Sequence, residues 1–67
     1  MYILEFETRG EIRKIYPSNS LNPYYFNAIE EAEALLQTFP GFQKNPQNYS
    51  IALYDAGSSY TQKTFSK

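Results

Sequence analysis

Apolar and polar residues alternate over residues 2–16, and this period of two predicts a β-hairpin. Gly10 suits a three-residue turn whose last residue has a positive φ, whereas a two-residue turn would require a left-handed Arg9. We prefer the three-residue turn. In its register, one face of the hairpin carries Tyr2, Leu4, Phe6, Ile12 and Tyr16.

Residues 27–39 have the spacing of an amphipathic α-helix, because apolar side chains recur every three or four positions. Asn27 is expected to cap the first turn, and the carboxylate of Glu30 is expected to reach back toward it. An earlier start, with Asn22 as the cap, is the alternative. The Pro–Gly pair that follows is expected to end the helix. The apolar stripe consists of Ala28, Ile29, Ala32, Leu35, Leu36 and Phe39.

A second alternating segment spans residues 49–65 and predicts another hairpin, with a loop over residues 41–48 before it. The order β-β-α-β-β predicts a small single α+β domain over residues 1–67, in which one helix packs on one face of an antiparallel sheet. One helix covers one face only. The opposite face is therefore expected to expose Ile3, Ile15, Ala52 and Tyr54.

Composition excludes several kinds of chemistry. The 67 residues include neither cysteine nor histidine, so disulfides, Cys/His metal sites, haem ligation and Ser–His–Asp or Cys–His catalysis are excluded. Glu30, Glu31 and Glu33 lie within one helical turn and do not face each other across a cleft, which favours a protein that is not an enzyme. No cofactor, metal or membrane span is expected. Because no apolar leader follows Met1, the expected location is cytoplasmic.

Charge favours a protein partner over a nucleic acid. Six basic and seven acidic residues give a net charge of −1, and non-specific nucleic-acid binding depends mainly on phosphate neutralisation. A nucleic-acid-binding module is the alternative, with tyrosines stacking on bases and basic residues contacting phosphates. The basic residues of that alternative are Arg13, Lys14, Lys44 and Lys63.

Aromatic residues are unusually frequent, with seven tyrosines and five phenylalanines making up 18% of the chain. They either complete a core that has few aliphatic side chains or stand exposed as anchors for a partner, since tyrosine and phenylalanine are enriched in interface cores. On the second interpretation, the candidate partner-binding residues are Tyr16, Tyr24, Tyr25, Phe42 and Tyr54.

These observations predict a small non-enzymatic module that binds a larger protein of unknown identity. Stand-alone proteins of this size are often regulators or inhibitors, and many are encoded by phages or other mobile elements. A homodimer through a sheet edge or through the uncovered sheet face is also considered. Lys63 on the last strand is expected to protect that edge from pairing.

Overall fold

The computed structural model describes residues 1–66 as one four-stranded antiparallel sheet with helices packed on it. The strands are β1 (Tyr2–Thr8), β2 (Glu11–Lys14), β3 (Tyr49–Asp55) and β4 (Ser58–Thr64). Between the hairpins lie α1 (Ile29–Leu36), α2 (Pro40–Lys44) and a 3₁₀ turn (Pro46–Asn48). The sheet order is β2-β1-β3-β4. The predicted α+β class and β-β-α-β-β order are confirmed.

Both hairpins close with two-residue turns. In the first turn φ is 53° at Arg9 and 81° at Gly10. In the second turn φ is 52° at Ala56 and 82° at Gly57. Positive φ at both central positions defines a type I′ turn, whose twist matches the right-handed twist of the strands that it joins.

The expected three-residue turn is therefore wrong, and the error changes which way one strand faces. β2 shifts by one position, so that Ile12 pairs with Glu7. This register avoids setting Glu7 directly against Glu11, where like charges would repel. Ile12 consequently leaves the helix side of the sheet and is 65% exposed, because a shift of one residue sends every side chain of a strand to the other face.

Replacing Arg9 by asparagine is expected to raise the free energy of unfolding by about 0.5–1 kcal/mol, because asparagine tolerates left-handed φ better than arginine does. Urea denaturation would measure the gain. Ala56→Asn is a matched variant, since Ala56 occupies the same position in the second turn. A loss of stability in both variants would contradict the type I′ geometry.

The first turn of α1 is capped one residue later than expected. Ala28 is the N-cap residue, with extended angles of φ −141° and ψ 151°. The carboxylate of Glu31 accepts hydrogen bonds from the backbone N–H groups of Asn27 and Ala28, both at 3.1 Å. Glu31 thus takes the role expected of Glu30, because it becomes the third helical residue once the cap moves. The alternative start at Asn22 is not used, since that residue lies in a bend.

The end of α1 also differs from the expectation. The helix ends at Leu36 rather than at Phe39, and the hydroxyl of Thr38 donates to the carbonyl oxygen of Leu35 at 2.7 Å. Pro40 does not simply end a helix but begins α2, because its fixed φ suits a first helical position. The predicted loop over residues 41–48 is therefore largely helical.

The main core lies between α1 and the sheet. Leu4 on β1 and Ile51 on β3 are cross-strand partners, and both are fully buried, as are Ala32 and Leu36 of α1. Partly buried side chains packed against this core are Tyr2, Ile15, Phe26, Ile29, Leu35, Phe39, Tyr49 and Phe65. Ile15 therefore belongs to the helix side, and its expected place on the exposed face is wrong.

Candidate protein-binding surface

We define the open face as the sheet surface that turns away from α1. Within residues 1–66, both α-helices contribute to the core on the other side of the sheet. Alternate residues of a strand face the same side, so the strand register identifies the members of the open face. They include Ile3, Glu5, Ile12, Lys14, Ser50, Ala52, Tyr54, Ser59 and Thr61.

The floor of the open face is buried although neither helix packs above it. Ile3 and Ala52 are cross-strand partners and have no exposed surface; the expectation that both are exposed is wrong. Glu5 is also buried, and the hydroxyl of Ser59 donates to its carboxylate at 3.0 Å. In the strand register, this hydrogen bond runs diagonally over Ala52 from β1 to β4, so side chains of the sheet itself cover the floor.

The β3–β4 pairing contains a β-bulge close to this hydrogen bond. The pairing of β3 with β4 shifts between Ile51 and Ala52, which leaves Gln62 as an extra residue in β4. A bulge bends its strand and increases the local twist. Ser59, on the side of the bulge nearer the hairpin turn, reaches Glu5 across β3.

Two of the predicted contact residues meet on the open face. Phe26 forms an isolated antiparallel bridge with Tyr2, with N···O distances of 2.8 and 2.9 Å. The bridge lays this segment beside β1, and alternation then turns Tyr25 toward the open face. The rings of Tyr25 and Tyr54 lie 6.2 Å apart between centroids. The Nζ atom of Lys14 lies 5.4 Å from the ring centroid of Tyr54, within the range of a cation–π contact.

Most of the large apolar side chains that are exposed lie on or beside the open face. The exposed group consists of Met1, Ile12, Tyr16, Leu21, Tyr25 and Tyr60. Ile12 and Tyr25 belong to the open face, and the alternation of β1 places Met1 there as well. Tyr16 continues the alternation of β2 on the same side; like Ile12, it was expected on the helix side and is moved by the corrected turn. Exposed apolar side chains on one face are typical of a protein-binding surface.

A shallow cleft of about 140 Å³ adjoins Ile12 at the end of the open face that is far from Tyr25. It is lined by Glu7, Ile12, Gln47, Asn48, Tyr49, Ser50, Thr61 and Thr64. Six of the eight lining residues are of polar type, and one of them, Glu7, carries a carboxylate. The cleft has room for a few water molecules or for the end of one partner side chain.

Two of the predicted contact residues lie elsewhere. Phe42 is only 6% exposed, and its ring meets those of Tyr49 and Phe65 edge-on at centroid distances of 5.6 and 5.0 Å. Its prediction as a surface anchor is wrong, because α2 turns the ring into the core. Tyr24 is half-buried and stacks on Phe26 at 6.1 Å, on the side of the sheet that α1 covers.

The basic residues of the nucleic-acid alternative do not converge. Arg13 is paired with Glu11 at 2.6 Å, and Lys63 is paired with Glu33 at 2.8 Å. Arg13 and its neighbour Lys14 face opposite sides of β2, while Lys44 lies in the last turn of α2. The four residues are thus distributed over both faces of the sheet and one helix.

Four exposed apolar residues are not among the predicted contacts: Met1, Ile12, Leu21 and Tyr60. The predicted three-residue turn places Ile12 on the helix side, and Met1 precedes the predicted hairpin. Leu21 is 96% exposed in the loop between the hairpin and α1, where Ser20 stabilises a turn by donating its N–H to the carbonyl oxygen of Pro17 at 3.3 Å. A single large apolar residue in a polar, proline-flanked loop was the signal that could have identified it.

No family model, curated protein or solved structure matches this chain. Within residues 1–66, no three acidic, histidine or cysteine side chains are grouped closely enough to hold a metal ion. In the same part of the chain, neither α-helix is long and apolar enough to cross a bilayer.

Proposed function

We propose that this protein is a small non-enzymatic module that docks on a larger protein through the open face. The observation that carries the proposal is that exposed apolar side chains lie along this one face, with Ile12 toward one end and the Tyr25–Tyr54 pair toward the other. Tyrosine combines large apolar area with a polar tip, and exposed tyrosines are common anchors in protein interfaces. Lys14 beside Tyr54 and Glu7 at the adjoining cleft supply polar groups at the edge of this surface.

In this proposal the module regulates or inhibits its cytoplasmic partner by covering part of the partner's surface. The contact residues are Met1, Ile12, Tyr16, Tyr25 and Tyr54. Because Ile3 and Ala52 are already buried, the partner does not complete the core of the module. The partner instead covers side chains that the folded module leaves in water.

The test is a capture experiment with the tagged protein in nuclease-treated lysate, followed by measurement of affinity for the purified partner. The Ile12→Asp/Tyr25→Ala double variant changes two exposed side chains and should keep its circular dichroism spectrum. We expect it to bind the partner at least about a hundredfold more weakly than the wild type, because it removes one exposed apolar side chain toward each end of the surface and the loss of a single anchor often costs about 2 kcal/mol or more.

Tyr60→Ala is the matched control, since Tyr60 is also an exposed tyrosine but lies on the helix side of β4. It should retain the partner. Equal binding by the wild type and the double variant would rule out the open face as the docking surface. A parallel capture without nuclease tests the alternative that uses Arg13, Lys14, Lys44 and Lys63, which would be supported by recovery of nucleic acid whose binding falls steeply with salt.

A further inference from the structure

The outer edge of β4 is a surface that the proposed function does not use. In the part of the chain that the structure describes, β4 pairs with β3 on one side only. It spans seven residues without a proline, and six of them are exposed. The other edge strand, β2, spans only four residues. An exposed strand edge is a template for pairing with another strand.

The expected protection of this edge by Lys63 is absent. The Nζ atom of Lys63 bonds to the carboxylate of Glu33 on α1 at 2.8 Å, and it lies 5.6 Å from the ring centroid of Phe65. A lysine protects an edge when its charge stays in the path of an incoming strand. Here the charge is directed onto the helix and is compensated. The other residues of β4 are neutral.

The hydrogen-bond pattern shows which backbone groups of β4 face outward. The N–H of Tyr54 donates to the carbonyl oxygen of Met1 at 2.8 Å, so Tyr54 faces β1 and its neighbour Leu53 faces β4. Tyr60, the partner of Leu53, therefore points its backbone groups toward β3. In an antiparallel ladder the direction alternates, so the N–H and C=O groups of Ser59 and Thr61 point away from the sheet.

We propose that two copies of this protein form a symmetric dimer by antiparallel pairing of their β4 strands, with Tyr60 on the two-fold axis. Ser59 then exchanges two backbone hydrogen bonds with the partner's Thr61, and Thr61 does the same with the partner's Ser59. Tyr60 lies directly opposite the partner's Tyr60, which accounts for an aromatic side chain that is 56% exposed on an edge strand. Cross-strand aromatic pairs are stabilising.

The bulge at Gln62 limits the length of this pairing. Ser58 would lie opposite the partner's Gln62, where the bulge interrupts the alternation of the strand, so regular pairing is confined to Ser59–Thr61. A small contact of this kind gives a weak dimer, with a dissociation constant in the micromolar range or above. The open face is not part of this contact, so each dimer presents two copies of it.

A charge-swap experiment tests the two-fold axis. Tyr60→Lys and Tyr60→Glu each place like charges opposite each other in the dimer, so each variant alone should dimerise at least about tenfold more weakly than the wild type. An equimolar mixture of the two variants should associate again, because opposite charges then meet across the axis. Sedimentation equilibrium up to about 1 mM protein would measure all three samples at concentrations that reveal weak association.

Tyr16→Lys is the control, because Tyr16 is similarly exposed but lies away from β4. It should leave the dimerisation constant unchanged. A wild-type protein that stays monomeric, or a dimer that Tyr16→Lys disrupts while Tyr60→Lys does not, would overturn the proposal. The two proposals fail separately: Ile12→Asp/Tyr25→Ala should lose the larger partner and keep the dimer, whereas Tyr60→Lys should lose the dimer and keep the partner.

Discussion

Phe42→Ala is expected to lower the free energy of unfolding by about 3–5 kcal/mol, the usual cost of removing a buried phenylalanine side chain. The ring packs edge-on against those of Tyr49 and Phe65, so alanine would leave a cavity and remove two aromatic contacts. A domain of 67 residues has little stability to lose. The variant should therefore be largely unfolded at room temperature, as measured by circular dichroism and urea denaturation.

The control for this prediction is Tyr16→Ala. The Tyr16 side chain is 49% exposed, and substitutions at such positions usually change stability by no more than about 0.5 kcal/mol. Similar small effects at both positions would show that α2 does not place Phe42 in the core. Phe42 would then return to the set of surface candidates.

Ile3→Ala is expected to cost about 2–5 kcal/mol, although Ile3 lies on the sheet face that no α-helix covers within residues 1–66. The side chain has no exposed surface and lies opposite Ala52. The hydrogen bond between Ser59 and Glu5 helps to close this second, smaller core. Removing three carbon atoms from it would leave a cavity that a rigid sheet cannot fill. Urea denaturation would give the change in the free energy of unfolding.

Ile12→Ala provides a control of the same residue type on the same face. Its side chain is 65% exposed, so the substitution should change the free energy of unfolding by no more than about 0.5 kcal/mol. Both variants replace isoleucine by alanine on the same face, so a difference between their free energies of unfolding would come from burial. If both substitutions changed the free energy of unfolding equally little, the open face would have no core of its own.

The order of the elements could be predicted because the periods of strands and helices are local properties of the chain. Which side of the sheet each side chain of β2 faces could not be predicted so directly. It depends on whether strain at a left-handed Arg9 costs more or less than repulsion between Glu7 and Glu11, and the difference is small. A shift of one residue moves every side chain of a strand to the opposite face of the sheet. The choice of turn therefore put Ile12 and Tyr16 on the wrong face.

The candidate surface was predictable only in part, because its geometry depends on contacts between distant residues. Tyr25 and Tyr54 meet because Phe26 bridges to Tyr2, and no local pattern encodes that bridge. The burial of Phe42 depends on α2, which forms where the Pro–Gly pair suggested only an end. In both cases the residue type was informative, whereas its position required the tertiary structure.

The sheet order matters while the chain is being synthesised. The two central strands, β1 and β3, lie on either side of both helices in the sequence. A growing chain therefore carries Ile3 and Leu4 on opposite faces of β1 before β3, which pairs with β1 at both residues, has emerged from the ribosome. Pairing between distant segments is slow, and unpaired apolar strands are prone to aggregate. The interval between the synthesis of β1 and that of β3 is consequently the stage at which this protein is most vulnerable to aggregation.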